Sequence, residues 1–270
     1  MLNKNKKRLK FDIAALTGFP LLAAVLSWFL PLNYLTSLLL FFGLPAGYLL
    51  LRKPKGIKRA LAFALPLTSI SILGDYFGAK DLSWYVPTIF PFRLFGVVAL
   101  ENVIWFFLTS LLIISYYELF LDRNSHKTLG RRMPILFLGL LSVITLLATL
   151  IYTHSAPAIP YFYFKSSIVL LCLPLLAFIF EFPRFIFVFL KMLPYFTALF
   201  FINEIVGLHK GYWSFPGRHF IGWFHIFGYS FPLEELFFYI ILFCTAIITY
   251  FELFDDNRLK LRPIPLRIKR

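Results

Sequence analysis

The chain has 270 residues, 60% of them hydrophobic and 20% aromatic, with only 15% charged and a net charge of +14. That composition excludes an ordinary soluble domain and describes a polytopic membrane protein. The basic excess does not read as a nucleic-acid footprint, because of where the charges fall.

Taken in order, apolar runs near the twenty residues needed to cross about 30 Å of hydrocarbon lie at 12–30, 35–51, 60–77, 94–120, 134–153, 161–180, 185–207 and 231–254. Eight transmembrane helices are predicted, helix 1 to helix 8 in chain order. Helix 1 follows Lys4, Lys6, Lys7, Arg8 and Lys10. This resembles the start of a signal peptide, but no small-x-small cleavage site follows and helix 2 begins at once, so helix 1 is read as retained. Arg52, Lys53, Lys55, Lys58 and Arg59 fill the loop after helix 2, Arg123, Lys127, Arg131 and Arg132 follow helix 4, Arg184 follows helix 6, and the tail from Arg258 to Arg270 is basic. The alternate loops hold only Lys80, Arg93, Lys165, Lys210 and Arg218. By the positive-inside rule both termini are expected in the cytoplasm, and the basic loops suit anionic lipid rather than nucleic acid. Cys172 and Cys244 fall inside apolar helices and make neither a disulfide framework nor a zinc site.

Sliding the chain by 129 positions (160 − 31) brings Pro31 onto Pro160, Pro45 onto Pro174, Pro54 onto Pro183, Gly78 onto Gly207, Trp84 onto Trp213 and Pro87 onto Pro216. Prolines and glycines fix helix ends and turns, so an architecture is repeated. The expected fold is an all-α bundle of two four-helix repeats, 1–120 and 121–270, the second carrying the basic tail. An even helix count runs both copies the same way through the bilayer, about a pseudo-two-fold axis along its normal, with a site at their interface.

The same register sets Asp75 against Glu204. Further on, Tyr-Tyr-Glu-Leu-Phe (116–120) meets Tyr-Phe-Glu-Leu-Phe (250–254) at an offset of 134 (250 − 116). Between them Ala99-Leu100-Glu101-Asn102 answers Pro232-Leu233-Glu234-Glu235. Carrying the offset of 134 back without a gap pairs Glu101 with Glu235, and that pairing is preferred because a one-residue gap inside a helix would turn its face by about 100°. Glu235 is therefore assigned to the interior. Asp75, Glu101, Glu204, Glu234 and Glu235 should converge in the non-cytoplasmic half of the bilayer, where ionisable groups are costly and mark function. Glu118 and Glu252 also recur, but lie at the opposite helix ends among Arg and Asp and read as structural.

The Pro-x-Glu-Glu motif, the upstream loop with Trp and Pro, the acid closing the preceding helix and the tandem duplication together resemble the membrane-bound lycopene cyclase domain of the heterodimeric and fused type. The resemblance covers roughly 35–120 and 164–254 and departs from the family pattern at Ala99 and Asn102, where the first copy lacks the Pro and the second Glu. Helices 1 and 5 read as additions to a three-helix core. The resemblance implies redox-neutral cyclisation of the linear ends of lycopene or a related carotenoid, with no cofactor, and makes the five acids the candidates for proton transfer.

Cyclising a polyene needs a proton for a terminal double bond, a held carbocation and a base. A carboxylic acid that keeps its proton near neutral pH can do the first, and a low-dielectric site shared with other carboxylates favours that form. The cation needs a dry lining of aromatic faces, each worth on the order of 1–2 kcal/mol when desolvated. Candidates are Trp84, Trp213, Trp105, Phe238 and Tyr239, together with Phe237. His209, His219 and His225 fit no metal-binding box, so no metal is assigned, and no glycine-rich dinucleotide fingerprint is present. Two other readings remain open on the sequence: a transporter or lipid-binding protein with parallel repeats, or a related carotenoid end-group hydratase.

Overall fold

The computed structural model describes residues 2–122 and 157–255, with scattered positions between 138 and 153. The protein is an all-α bundle. Among the described residues seven helices are long and apolar enough to cross a membrane: Lys7–Phe29, Tyr34–Arg52, Pro54–Lys80, Leu100–Leu121, Phe162–Glu181, Pro183–Lys210 and Glu235–Leu253. It is a multi-pass integral membrane protein. The fifth predicted helix, 134–153, and the basic tail fall largely or wholly outside the described residues, as do Arg123, Lys127, Arg131 and Arg132.

The first long helix, α1 (Leu2–Phe29), ends two residues before Pro31. Asn33 then starts α2 (Tyr34–Leu38), its Oδ1 accepting from Thr36 N at 2.9 Å in the usual manner of an N-cap. A π-turn, Leu39–Gly43, leads into α3 (Leu44–Arg52). Pro45 explains the turn: a proline ring has no N–H and collides with the carbonyl four residues back, and a widened turn relieves both problems. A 3-10 turn over Pro54–Gly56 reverses the chain into α4 (Ile57–Lys80).

The second copy repeats this 129 residues on: α6 (Phe162–Ser167), a π-turn over Ile168–Cys172 ahead of Pro174, α7 (Leu173–Glu181), a 3-10 turn over Pro183–Phe185, and α8 (Ile186–Lys210). Loops follow both α4 and α8. In the second, strands β1 (Trp223–Ile226) and β2 (Tyr229–Pro232) pair antiparallel around Phe227 and Gly228. Both turn residues have positive φ, 51° and 80°, the demand of a tight hairpin turn of the mirror-image type. The first loop turns the same way at Phe95 and Gly96, φ 51° and 78°, inside a bridge between Leu94 and Val98. Where the loops meet, Tyr85 and Ser214, equivalent residues, exchange backbone hydrogen bonds of 2.8 and 2.9 Å. That reciprocal pair lies on the pseudo-two-fold axis.

Each copy closes with a helix: α5 (Leu100–Tyr116) in the first, and in the second a π-helix over Glu235–Leu242 continuing as α9 (Phe243–Asp255). These two pack on each other at the centre, with α3 and α4 flanking α5, and α7 and α8 flanking α9. Buried Ser110, Thr109, Thr245 and Thr249 lie in the two central helices, where small side chains let backbones approach. The burial gradient agrees: 61% of the Glu235–Leu253 span and 50% of Leu100–Leu121 are buried, against 22% of α1. The outermost helix, α1, lies against α8 of the other copy and is pinned to α3 by Asp12, which takes hydrogen bonds from Arg52 at 2.9 and 3.0 Å and from Tyr48 at 2.5 Å.

Candidate active site

Beneath the loops, between the two central helices and their neighbours, lies a cavity of about 310 Å³. Its polar end is built twice, once by each copy. In the first, the indole Nε1 of Trp84 donates to Asp75 Oδ1 at 2.6 Å and Asn102 Nδ2 donates to the same oxygen at 3.0 Å. In the second, Trp213 Nε1 donates to Glu204 Oε1 at 3.0 Å, and the Tyr163 hydroxyl donates to Glu235 Oε2. Glu204 and Glu235 are within electrostatic range of each other.

Why each indole reaches its acid is visible one turn along the helix. Gly78 lies under the Trp84 ring and Gly207 under the Trp213 ring, so close that a Cβ at either glycine would overlap the indole. The tyrosines then cross the axis. Tyr163 of the second copy meets Trp84 of the first edge to face at 5.0 Å, while its equivalent, Tyr34, lies 5.3 Å from Trp213. Neither copy completes a site alone.

Away from the acids the walls are apolar, running down α4 to Phe63 and down α9 to Tyr250. Glu235 to Tyr250 is fifteen residues (250 − 235), about 22 Å at helical rise. Trp105 and Tyr239 line this shaft and stack on opposite sides of the Phe243 side chain, at 5.5 and 5.7 Å. The geometry is that of a long hydrocarbon slot capped by three carboxyl groups.

Of the expected acids, Asp75, Glu204 and Glu235 line the cavity; Glu101 and Glu234 do not. Both are fully buried and hold loops down. Glu101 accepts from Ile89 N at 2.7 Å and from the Thr88 hydroxyl at 3.0 and 2.8 Å, and Glu234 accepts from Ile221 N at 2.8 Å. Their matching tasks show that Glu101 corresponds to Glu234, and Asn102 to Glu235, which corrects the pairing of Glu101 with Glu235. The one-residue gap judged too costly for a helix is the π-helix Glu235–Leu242, where the offset changes from 133 (234 − 101) to 134 (250 − 116). An inserted residue widens the turn instead of rotating the rest of the helix.

Among the aromatic candidates Trp84, Trp213, Trp105 and Tyr239 line the cavity, whereas Phe238 is buried behind it, 6.2 Å from Phe164, and Phe237 is 47% exposed on the outside. Sequence reasoning missed Tyr34, Tyr163 and the role of Asn102. The tyrosines carried a signal, since 163 − 34 is again 129. The histidines lie in the loops: His209 reaches Tyr229 at 2.8 Å, His225 reaches Ser230 at 2.7 Å, and His219 pairs with Asp81 at 2.7 Å. Asp81 also accepts from Phe162 N at 3.2 Å, so it fastens one copy to the other. Glu118 and Glu252 lie at the far ends of α5 and α9, Glu118 paired with Arg59 and Glu252 accepting from the Tyr117 hydroxyl at 2.7 Å.

The fold and site therefore define a duplicated membrane bundle with one shared, acid-capped apolar cavity. Compared with protein-family models, curated proteins and solved structures, the chain matches none of them.

Proposed function

We propose that the protein cyclises the ends of an acyclic carotenoid, lycopene or a close relative, by proton transfer without net redox change. The observation that carries this reading is the Glu204 and Glu235 pair closing one end of a slot otherwise walled by hydrocarbon and aromatic rings. Two neighbouring acids in a dry site share a proton, which one of them can give to a substrate. An isoprenoid chain end fits the slot in width and chemistry, and nothing along the shaft calls for a polar substrate.

In this reading Glu235, oriented by Tyr163, delivers its proton to the terminal double bond. The tertiary cation so formed is attacked by the next double bond, which closes the ring and moves the charge to a second tertiary carbon. Trp84, Trp213, Trp105 and Tyr239 present π-faces to both cations. Asp75, whose Oδ1 takes hydrogen bonds from Trp84 and Asn102, then removes a proton from a carbon beside the cation, leaving a ring double bond. One proton enters and one leaves, so the carbon skeleton changes and its oxidation level does not.

The two termini are assigned to the cytoplasm of a bacterial-type inner membrane on the basic loops that alternate along the chain. Expression in a bacterium that accumulates lycopene tests the activity: the expected result is a shift from red to yellow-orange with cyclic products on chromatography. Unchanged pigment beside well-inserted protein would refute it.

A further inference from the structure

A second cavity, of about 180 Å³, lies against the first on the loop side. The two share Asp75, Trp84 and Asn102, so this hydrogen-bonded trio is the partition between them. The chambers differ in character. The larger is hydrocarbon; the smaller holds Arg93, and its rim is formed by the hairpin turn at Gly96 and by Tyr85, which is 49% exposed. Arg93 is held in place rather than free to swing: its guanidinium donates to Val97 O at 3.0 Å and Val86 O at 2.6 Å, and it lies 5.1 Å over the Tyr85 ring. Both donors on Asp75 fall on Oδ1, which leaves Oδ2 with no protein donor among the described residues. A water needs only about 10–15 Å³ of such space and a few polar partners. The smaller chamber offers room for several, with a carboxyl oxygen, a guanidinium and backbone groups around them.

We propose that this chamber is a water-filled vestibule through which Asp75 exchanges protons with the aqueous phase on the loop side, while the Trp84 ring keeps that water out of the hydrocarbon slot. The inference rests on the cyclase reading and adds what that reading lacks. After each ring closes, Asp75 carries one proton more and Glu235 one fewer than at the start. The O–H bond of Asp75 breaks to a vestibule water, giving hydronium that leaves past Gly96 and Tyr85. The acid pair takes its proton from water when the product departs. The partition separates two incompatible needs, since a cation in the slot would be trapped as an alcohol by the same water that must reach Asp75. An ionisable side chain within a membrane span that borders a water-filled path is the usual form of a proton route.

Substituted-cysteine labelling tests the vestibule. In a Cys172→Ala/Cys244→Ala background, Ala79→Cys and Val97→Cys place thiols on its wall, and Ala246→Cys places one in the slot. Sealed vesicles of both orientations are treated with a membrane-impermeant, cationic methanethiosulfonate, and lycopene conversion is compared before and after treatment of each variant. The expected result is modification at 79 and 97 from one face only, none at 246, and a fall in conversion on the order of tenfold or more on modification, as when proton transfer is impaired. Resistance at both 79 and 97, or modification that leaves conversion unchanged, overturns the vestibule and leaves the cyclase standing. If the parent background converts no lycopene although native protein does, labelling alone decides: one-sided modification supports a wet chamber and resistance overturns it. If native protein converts none either, the cyclase reading falls, and labelling still decides in the same way whether the chamber is wet.

Discussion

Glu101 and Glu235 are both glutamates near the start of a central helix, and the difference between them is what their oxygens touch. Glu101 takes three hydrogen bonds from Thr88 and Ile89, all within its own loop. Glu235 faces a cavity with a tyrosine hydroxyl behind it. Glu235→Gln should lower conversion by about 10²–10⁴, the range for loss of a general acid, with an unchanged yield of folded protein in detergent. Glu101→Gln should do the reverse, weakening the fold by about 1–3 kcal/mol through lost charge-assisted hydrogen bonds while the surviving protein still converts substrate. Thermal unfolding in detergent beside pigment analysis separates the two. If both variants lose activity alike at full stability, the distinction drawn between them fails. Gly207→Ala makes a third case: its methyl group would strike the Trp213 indole, and overpacking of this sort costs about 1–3 kcal/mol. A lower melting temperature and loss of conversion together are expected, because the ring that must move is the one holding Glu204.

At the scale of elements the distinctive feature is the π-helix Glu235–Leu242. The other π-turns, before Pro45 and Pro174, have a proline to cause them; this one has none, and what marks it is one extra residue relative to the first copy. Deleting Phe237, a residue 47% exposed on the outside of the bundle, should convert the segment to α-helix. Glu235 would then turn by about 100° relative to α9, so the helix should still insert and pack while conversion is lost. Full activity in the deletion would mean that the widened turn does not position the acid. Much of the architecture is readable in the sequence for a simple reason: prolines and glycines enforce backbone geometry wherever they occur, and Pro45, Pro54 and Gly78 recur 129 residues later. The π-helix is not readable in the same way, since a residue count shows that one position is extra but not whether a loop or a helix absorbs it. The assignment of Asn102 to the site is hidden for a different reason. Its partner, Asp75, belongs to another helix, and only packing reveals that an amide has replaced a carboxyl there.

For the whole molecule the decisive fact is that the polar end of the cavity is made of crossed contacts. Tyr163 from the second copy lies against Trp84 from the first, Tyr34 against Trp213, and Asp81 binds the Phe162 backbone. Two chains divided between 122 and 157 should therefore be inactive singly and regain activity when made together, which co-expression in the lycopene-accumulating host would measure. Activity from either piece alone would show that a single copy suffices. Leu51, Phe180 and Phe187, 80%, 82% and 63% exposed, form an oily exterior that lipid covers, so reconstitution belongs in a bilayer rather than in water.

The mutual backbone bonds between Tyr85 and Ser214 are the kind of contact a protein makes with an identical copy of itself. A pair of separate, identical subunits would have to carry the same residue at positions 102 and 235, either amide twice or carboxyl twice. Joining them in one polypeptide removes that constraint, and the asymmetry it permits, proton donor on one side and acceptor on the other, is what a reaction that both gives and takes a proton requires.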